Sequence, residues 1–406
     1  MKYIQKTILL FALIAISAEL TAQHITQFRG PARDGIYNET NLLKEWPAGG
    51  PALFWKTEGI GNGYSSPVIS GDRIFVTGEI DSTGYLFAFD KSGVLLWKKP
   101  TGREWMENFT GSRSTPTLVD GLIYVSTGMG RIICFDAGDG SEKWSVEMLK
   151  DLHGVNVRFG YAEGLLVNDN LVYCSPGGPD TNIVALNRFT GKIAWVSKAL
   201  GDSTAFASPQ LIILPSRKIL VNFTIHNLVG LEAATGELLW SHHQVGEGDI
   251  QANTPLYENG FIYYVTGSGN GAVKLALSED GRTISEVWRN EKISDVHGGF
   301  VKLGNYIYTS QYKPRRYCCL DASTGLVTDS LKFDKGAVIF ADDMLYCYTE
   351  KGKVGLVKPS GGKMELVSSF RLPVGTKEFF TIPVISEGIL YLRQGGDLLA
   401  YDIRKK

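Results

Sequence analysis

Short apolar runs rich in β-branched and aromatic residues alternate along the chain with Gly, Asn and Asp. Ser66-Pro67-Val68-Ile69 leads through Gly71-Asp72 into Ile74-Phe75-Val76-Thr77. After a loop, Tyr85-Leu86-Phe87-Ala88-Phe89 leads through Lys91-Ser92-Gly93 into Leu95-Leu96-Trp97. Such runs suit half-buried pleated strands, and the residues between them tolerate the positive φ of tight turns. Each unit is therefore predicted to hold four short strands, with no long helical period competing.

The unit repeats. An apolar pair is followed by an acid or amide, a Gly four residues on and a Trp four beyond that: Phe135-Asp136, Gly140, Trp144; Leu186-Asn187, Gly191, Trp195; Leu231-Glu232, Gly236, Trp240. Asp90, Gly93 and Trp97 form a version one residue shorter. Trp55, Trp97, Trp144, Trp195, Trp240 and Trp288 lie 42, 47, 51, 45 and 48 residues apart, the length of a four-stranded propeller blade. Further copies begin at Ser114, Glu163, Ala207, Asn253, Gly299, Gly336 and Ile382, which with Ser66 makes eight. In the sixth and seventh copies Asp329 and Leu366 stand where Trp is expected, which suggests an adapted role. The eighth copy ends before a fourth strand, whereas Leu53-Phe54-Trp55-Lys56 is a fourth strand with no preceding three. The expectation is an all-β, eight-bladed β-propeller of four-stranded blades, closed by an N-terminal strand that completes the last blade. It occupies residues 50–406, preceded by a docking segment at 23–49.

Composition adds exclusions. A net charge of −1 with interspersed signs argues against a nucleic-acid partner. Lys2 and Lys6 precede the apolar run Ile8 to Ile16, and Leu20-Thr21-Ala22 offers small residues before Gln23, so residues 1–22 read as a cleavable signal peptide. The run is short for a membrane span and no Cys follows it, so the expectation is a periplasmic or secreted monomer without transmembrane segment or lipid anchor. The five Cys lack metal, redox or haem spacing.

These repeats resemble the PQQ-like β-propeller family, which includes quinoprotein dehydrogenases and the outer-membrane assembly lipoprotein BamB. Phe28-Arg29-Gly30-Pro31-Ala32-Arg33-Asp34-Gly35, Leu42-Leu43-Lys44-Glu45-Trp46-Pro47 and Gly63-Tyr64-Ser65-Ser66-Pro67 look like a secreted bacterial branch of it. The resemblance implies that the acid caps a turn, that Trp packs between blades, and that Arg29, Arg33 and Asp34 dock the N-terminal segment onto the ring.

In a four-stranded blade the segment entering the first strand (A) and the loop between the second and third (B and C) share one rim, and ligands favour loops on rigid scaffolds. That rim supplies the candidate ligand-binding residues Tyr64, Arg113, Tyr161, Glu163, Asn253 and His297, with Lys313, Arg315 and Arg316 beside them as an anion-binding cluster. The leading expectation is a binding or scaffold protein for a protein, glycan or small polar ligand, needing no cofactor. The alternative implied by the resemblance is a PQQ- and Ca²⁺-dependent alcohol or sugar dehydrogenase, with Glu163 or Asp249 as candidate base and Asn270 as candidate metal ligand. Thr266-Gly267-Ser268-Gly269-Asn270 is similar to the metal-binding segment of those enzymes, although Gly271-Ala272-Val273 stands where that segment continues with Pro and Trp. Cys318-Cys319 invites comparison with the vicinal disulfide found in some of them. Alignment of Tyr317-Cys318-Cys319-Leu320-Asp321 with Ile132-Ile133-Cys134-Phe135-Asp136 instead places both thiols in a strand, facing opposite ways.

Overall fold

A computed structural model describes residues 26–246, 250–267, 269–296, 298–373 and 379–405. The strands form eight four-stranded antiparallel sheets in a closed ring, one of them extended by a short parallel strand, Ile36–Tyr37. The first blade comprises Val68–Ser70 (A), Arg73–Ile80 (B), Thr83–Asp90 (C) and Leu95–Arg103 (D), and blades 2 to 7 repeat this order. Blade 8 joins Val384–Ser386, Ile389–Gln394 and Asp397–Asp402 to Ala52–Thr57, so both ends of the propeller meet in one sheet. The expected signal peptide lies outside the described residues. No helix among those described is long and apolar enough to cross a membrane.

The repeated phrase has a clear physical role. Trp55, Trp144, Trp195, Trp240 and Trp288 each donate an indole N–H to a backbone carbonyl in the next blade, at 2.7–3.2 Å. Beneath five of the six repeat Trp rings lies the phrase glycine of the following blade: Gly93 under Trp55, Gly140 under Trp97, Gly191 under Trp144, Gly236 under Trp195 and Gly325 under Trp288. Each has positive φ, and a Cβ there would come within 2.5–2.9 Å of the indole. Only Gly meets both demands. The acid at the phrase's start accepts backbone N–H bonds from its own turn, as Asp136 does from Gly138 and Asp321 from Ser323. Burial of these interlocking faces gives apolar clusters between neighbouring blades, the largest spanning blades 7, 8 and 1 around the closure.

Blades 6 and 7 replace Trp by structural means. Tyr306 covers Gly362, at 2.5 Å from a notional Cβ, while Asp329 accepts the Met364 N–H at 2.8 Å. In blade 7, Trp46 of the N-terminal segment packs edge-on against Phe370, with ring centroids 5.3 Å apart.

That segment also enters the ring's central channel. Thr26 accepts from the Leu118 N–H of blade 2. The Arg33 guanidinium donates to the carbonyls of Gly164 (3.1 Å) and Leu165 (2.5 Å) in blade 3 and Pro209 (3.0 Å) in blade 4. Arg29 donates to Phe300 of blade 6 at 2.5 Å, Ile36–Tyr37 pairs in parallel with strand A of blade 7 (Gly336–Ala341), and the Tyr37 hydroxyl donates to Pro383 of blade 8. Arg29 and Arg33 are both buried; burial draws the Arg33 guanidinium down to about 9. Because it crosses from blade to blade, this segment acts as a keystone.

Candidate functional site

A cavity of about 770 Å³ opens on the rim formed by the entering segments and the B-to-C loops, within the range of small-molecule sites. The residue three places before the Pro of the entering phrase lines it in all five copies that have that Pro: Tyr64, Arg113, Phe206, Ala252 and Phe380. Ala162, Val296 and Lys335 supply the remaining blades, and Phe28 from the N-terminal segment also faces the cavity. On one side Phe380, Tyr64, Phe109, Phe159 and Phe206 form a continuous aromatic wall. Neighbouring rings lie 5.3–5.8 Å apart and are tilted by 39–62°. On the other side the B-to-C loop of blade 6 brings Tyr312, Lys313 and Arg315 beside Lys335 and Glu350.

Of the expected ligand-binding residues, Tyr64, Arg113, Lys313 and Arg315 line this cavity. Arg113 is engaged structurally: it donates to the carbonyls of Gly111 (2.7 Å), Asn108 (2.7 Å) and Phe109 (2.5 Å), which positions the Phe109 loop. Arg315 pairs with Asp334 and, at 3.1 Å, with Glu350; Lys335 meets Glu350 at 2.6 Å and stands 3.8 Å from the Tyr312 ring centre. Lys313 lies 5.8 Å from the same ring and carries no ion pair among the described residues.

Four expectations are corrected. Tyr161, Glu163 and Asn253 point into the blade interfaces, because in extended chain the neighbours of a cavity-lining residue face the other way. Ala162 lines the cavity, while the flanking Tyr161 hydroxyl donates to Pro176 at 2.8 Å. Glu163 accepts from the Ser175 N–H (2.7 Å) and hydroxyl (2.9 Å), and burial raises its carboxyl to about 7. Asn253 beside Ala252 donates to Val265 and Asp295 and accepts from Gly299. Arg316 also turns aside, donating to Gln311 at 2.8 Å. His297 and Asp249 lie outside the described residues.

The rim aromatics Phe109, Phe159, Phe206 and Phe380, together with Tyr312 and Lys335, were not anticipated. Phe206 and Phe380 had a readable signal, their register relative to Pro209 and Pro383. Phe109 and Phe159 sit in irregular segments that carry no such register.

The donors needed for a Ca²⁺-held quinone do not fit. Buried Asn270 accepts the Gly246 N–H through Oδ1 at 2.7 Å and donates to Gly267, so its oxygen is already occupied by a backbone bond. Both Glu163 oxygens are held by Ser175. No group of three metal-ligating side chains occurs among the described residues. Cys318 and Cys319 are free thiols on opposite faces of strand C, one packed toward blade 5 and the other toward blade 7.

A second hollow, of about 690 Å³, lies against Thr26, Asp120 and Gly121 on the opposite rim. Its guanidinium, Arg73, is committed to the Ala137 and Gly138 carbonyls. Turn chemistry explains the rest of that rim: Asp120, Asp169 and Asn259 all have φ near +50°.

Fold and cavity together define a closed eight-bladed propeller with a one-sided funnel. Residues 82–330, more than half of the chain, match the family model described as outer membrane protein assembly factor BamB, and the chain belongs to that family. The outer membrane protein assembly factor BamB of Moranella endobia is 25% identical over 202 residues, covering 48% of this chain and 47% of that protein. The chain thus spans about half the length of that curated relative. The crystal structure of BamB from Moraxella catarrhalis superposes with a TM-score of 0.64 at 14% identity, covering 87% of this chain and 98% of that one. A europium-containing methanol dehydrogenase superposes with a TM-score of 0.70 at 11% identity, covering 92% and 90%. At such identities the structural likeness concerns the fold alone.

Proposed function

We propose that this protein is an exported, non-catalytic binding propeller that takes its ligand into the funnel. One observation carries the reading: a rigid ring presents a wall of partly exposed aromatic rings, from blades 8 and 1 to 4, to a single cavity, an arrangement that folding alone does not require. Export rests on the basic, then apolar, then small-residue order of positions 1–22, and N-terminal sequencing of the secreted chain checks it. For the funnel, a photo-crosslinking amino acid replaces Phe109 or Phe206 in cells, and, on the opposite rim, Asp120 or Asn259. Adducts should form at the first pair; adducts confined to the second would reverse the assignment of the face.

A quinone-dependent oxidoreductase is the rival, supported by family likeness. Calorimetry with PQQ and Ca²⁺ separates the two. We expect no Ca²⁺-dependent binding, whereas micromolar affinity abolished by Asn270→Ala would favour the oxidoreductase.

A further inference from the structure

We propose that the funnel, taken as the binding site, accepts a small anionic amphiphile: an apolar body carrying a single carboxylate-type head. This class rests on the binding reading of the funnel, and three features of the cavity converge on it.

The first is the wall. Phe380, Phe109, Phe159 and Phe206 have no polar atom in the side chain, and apolar Phe28, Ala162, Ile250, Ala252, Val296 and Ile382 line the cavity beside them. The polar groups on this side are few: the Tyr64 hydroxyl, Arg113, which is spent on its own loop, and Arg158, whose guanidinium lies 4.4 Å from the Phe159 ring centre. A sugar carries more hydroxyls than Tyr64 and Arg158 can partner along this wall, and unpaired polar groups in a pocket weaken binding. Apolar groups would gain wherever they cover the rings. Phe109 is still 43% exposed and Tyr312 39% exposed, so area remains for a ligand to bury. Because successive rings are tilted by 39–62°, the wall is curved and suits a flexible or bent body better than one flat plate.

The second is the opposite side. Arg315 and Lys335 share the carboxylates of Asp334 and Glu350, while Lys313 contributes an ammonium that no described carboxylate neutralises. An anionic head placed against Lys313 and the Tyr312 hydroxyl edge completes that charge without disturbing the existing pairs. Such a charge-assisted contact is stronger than a neutral one. The third is size: about 770 Å³ accommodates a drug-sized molecule and not a folded domain.

Two fluorescent probes with the same ring system test the class: anilinonaphthalene sulfonate and its neutral parent, phenylnaphthylamine. Both should bind, the sulfonate about tenfold more tightly, a difference of roughly 1.4 kcal/mol. Lys313→Glu should abolish that preference and leave the neutral probe's affinity unchanged. Phe206→Asp and the more exposed Phe109→Asp should weaken both probes about tenfold or more, with unfolding midpoints confirming that the variants fold. Dodecanoate should displace the sulfonate at least about tenfold better than dodecyl maltoside. Equal probe affinities, a preference that survives Lys313→Glu, or displacement by the maltoside alone would each overturn the anionic class while leaving the funnel as a binding site. Probe binding unaffected by either Phe variant would overturn the class; absence of cross-links at 109 and 206 as well would remove the funnel reading itself.

Discussion

At the residue scale, the funnel depends on side chains whose hydrogen bonds are spent on the protein itself. Arg113→Ala removes three donors from the 108–111 loop, so it should lower stability by about 1–3 kcal/mol, seen as a reduced urea midpoint, and increase proteolysis near Phe109. An unchanged midpoint would mean that the loop holds itself. Glu163 makes stability depend on pH. Its folded carboxyl binds a proton up to about 7, against an ordinary value of 4.5, so the native state holds more protons than the unfolded chain between those values. Its stabilising share is complete below 4.5 and is lost as pH rises through about 7, in total on the order of 3 kcal/mol. Urea titrations at several pH values should show this slope in the wild type and a flatter one in Glu163→Gln; identical slopes would assign the pH dependence elsewhere. Sequence pointed to the rim on which the aromatic cavity opens, but several of the side chains it singled out there turn away from that cavity. Tyr161, Glu163 and Asn253 attract notice by their polarity, yet a one-residue step along extended chain turns each of them from the cavity into an interface.

At the element scale, the blade-to-blade contact is a ring resting on a bare backbone. Gly236→Ala and Gly260→Ala impose similar backbone strain, φ +76° and +83°, but only the first drives a Cβ to 2.5 Å from Trp195; Gly260 has nothing within 4 Å. The difference between the two variants isolates the packing contribution, expected at about 1–3 kcal/mol by chemical denaturation. Equal losses would show that the indole can slide away. The same pairing explains why the fold was legible: Gly and Trp at fixed spacing leave a mark in sequence that a variable apolar core does not. Where the mark fades, at Asp329 and Leu366, the substitutes Tyr306 and Trp46 lie elsewhere in the chain and could not be matched to the gap by spacing.

At the scale of the whole molecule, stability rests on two closures. Ala52–Thr57 completes blade 8, and deletion of residues 51–57 should expose an edge and strip Trp55 from its interface, costing roughly 3–5 kcal/mol before edge effects. The buried Arg33 ties blades 3 and 4 together through three carbonyls. Arg33→Met should leave those carbonyls unpaired and cost on the order of 3–5 kcal/mol, and Arg33→Lys should not restore the wild-type midpoint, because one ammonium cannot reproduce the guanidinium fork. A full rescue by Lys would reduce the keystone to a simple charge. The course of residues 26–37 was not legible in sequence beyond the fact of docking, since backbone carbonyls accept these bonds and any residue supplies a carbonyl.

This keystone also imposes an order in time. Residues 26–57 are synthesised long before their partners Pro383 and the strand Asp397–Asp402. The strand Ala52–Thr57 must therefore wait, unpaired and with its edge open, until blade 8 has been made. A nascent chain stalled before blade 8 has neither a sealed ring nor a filled last sheet, and during that interval the molecule needs protection from its neighbours.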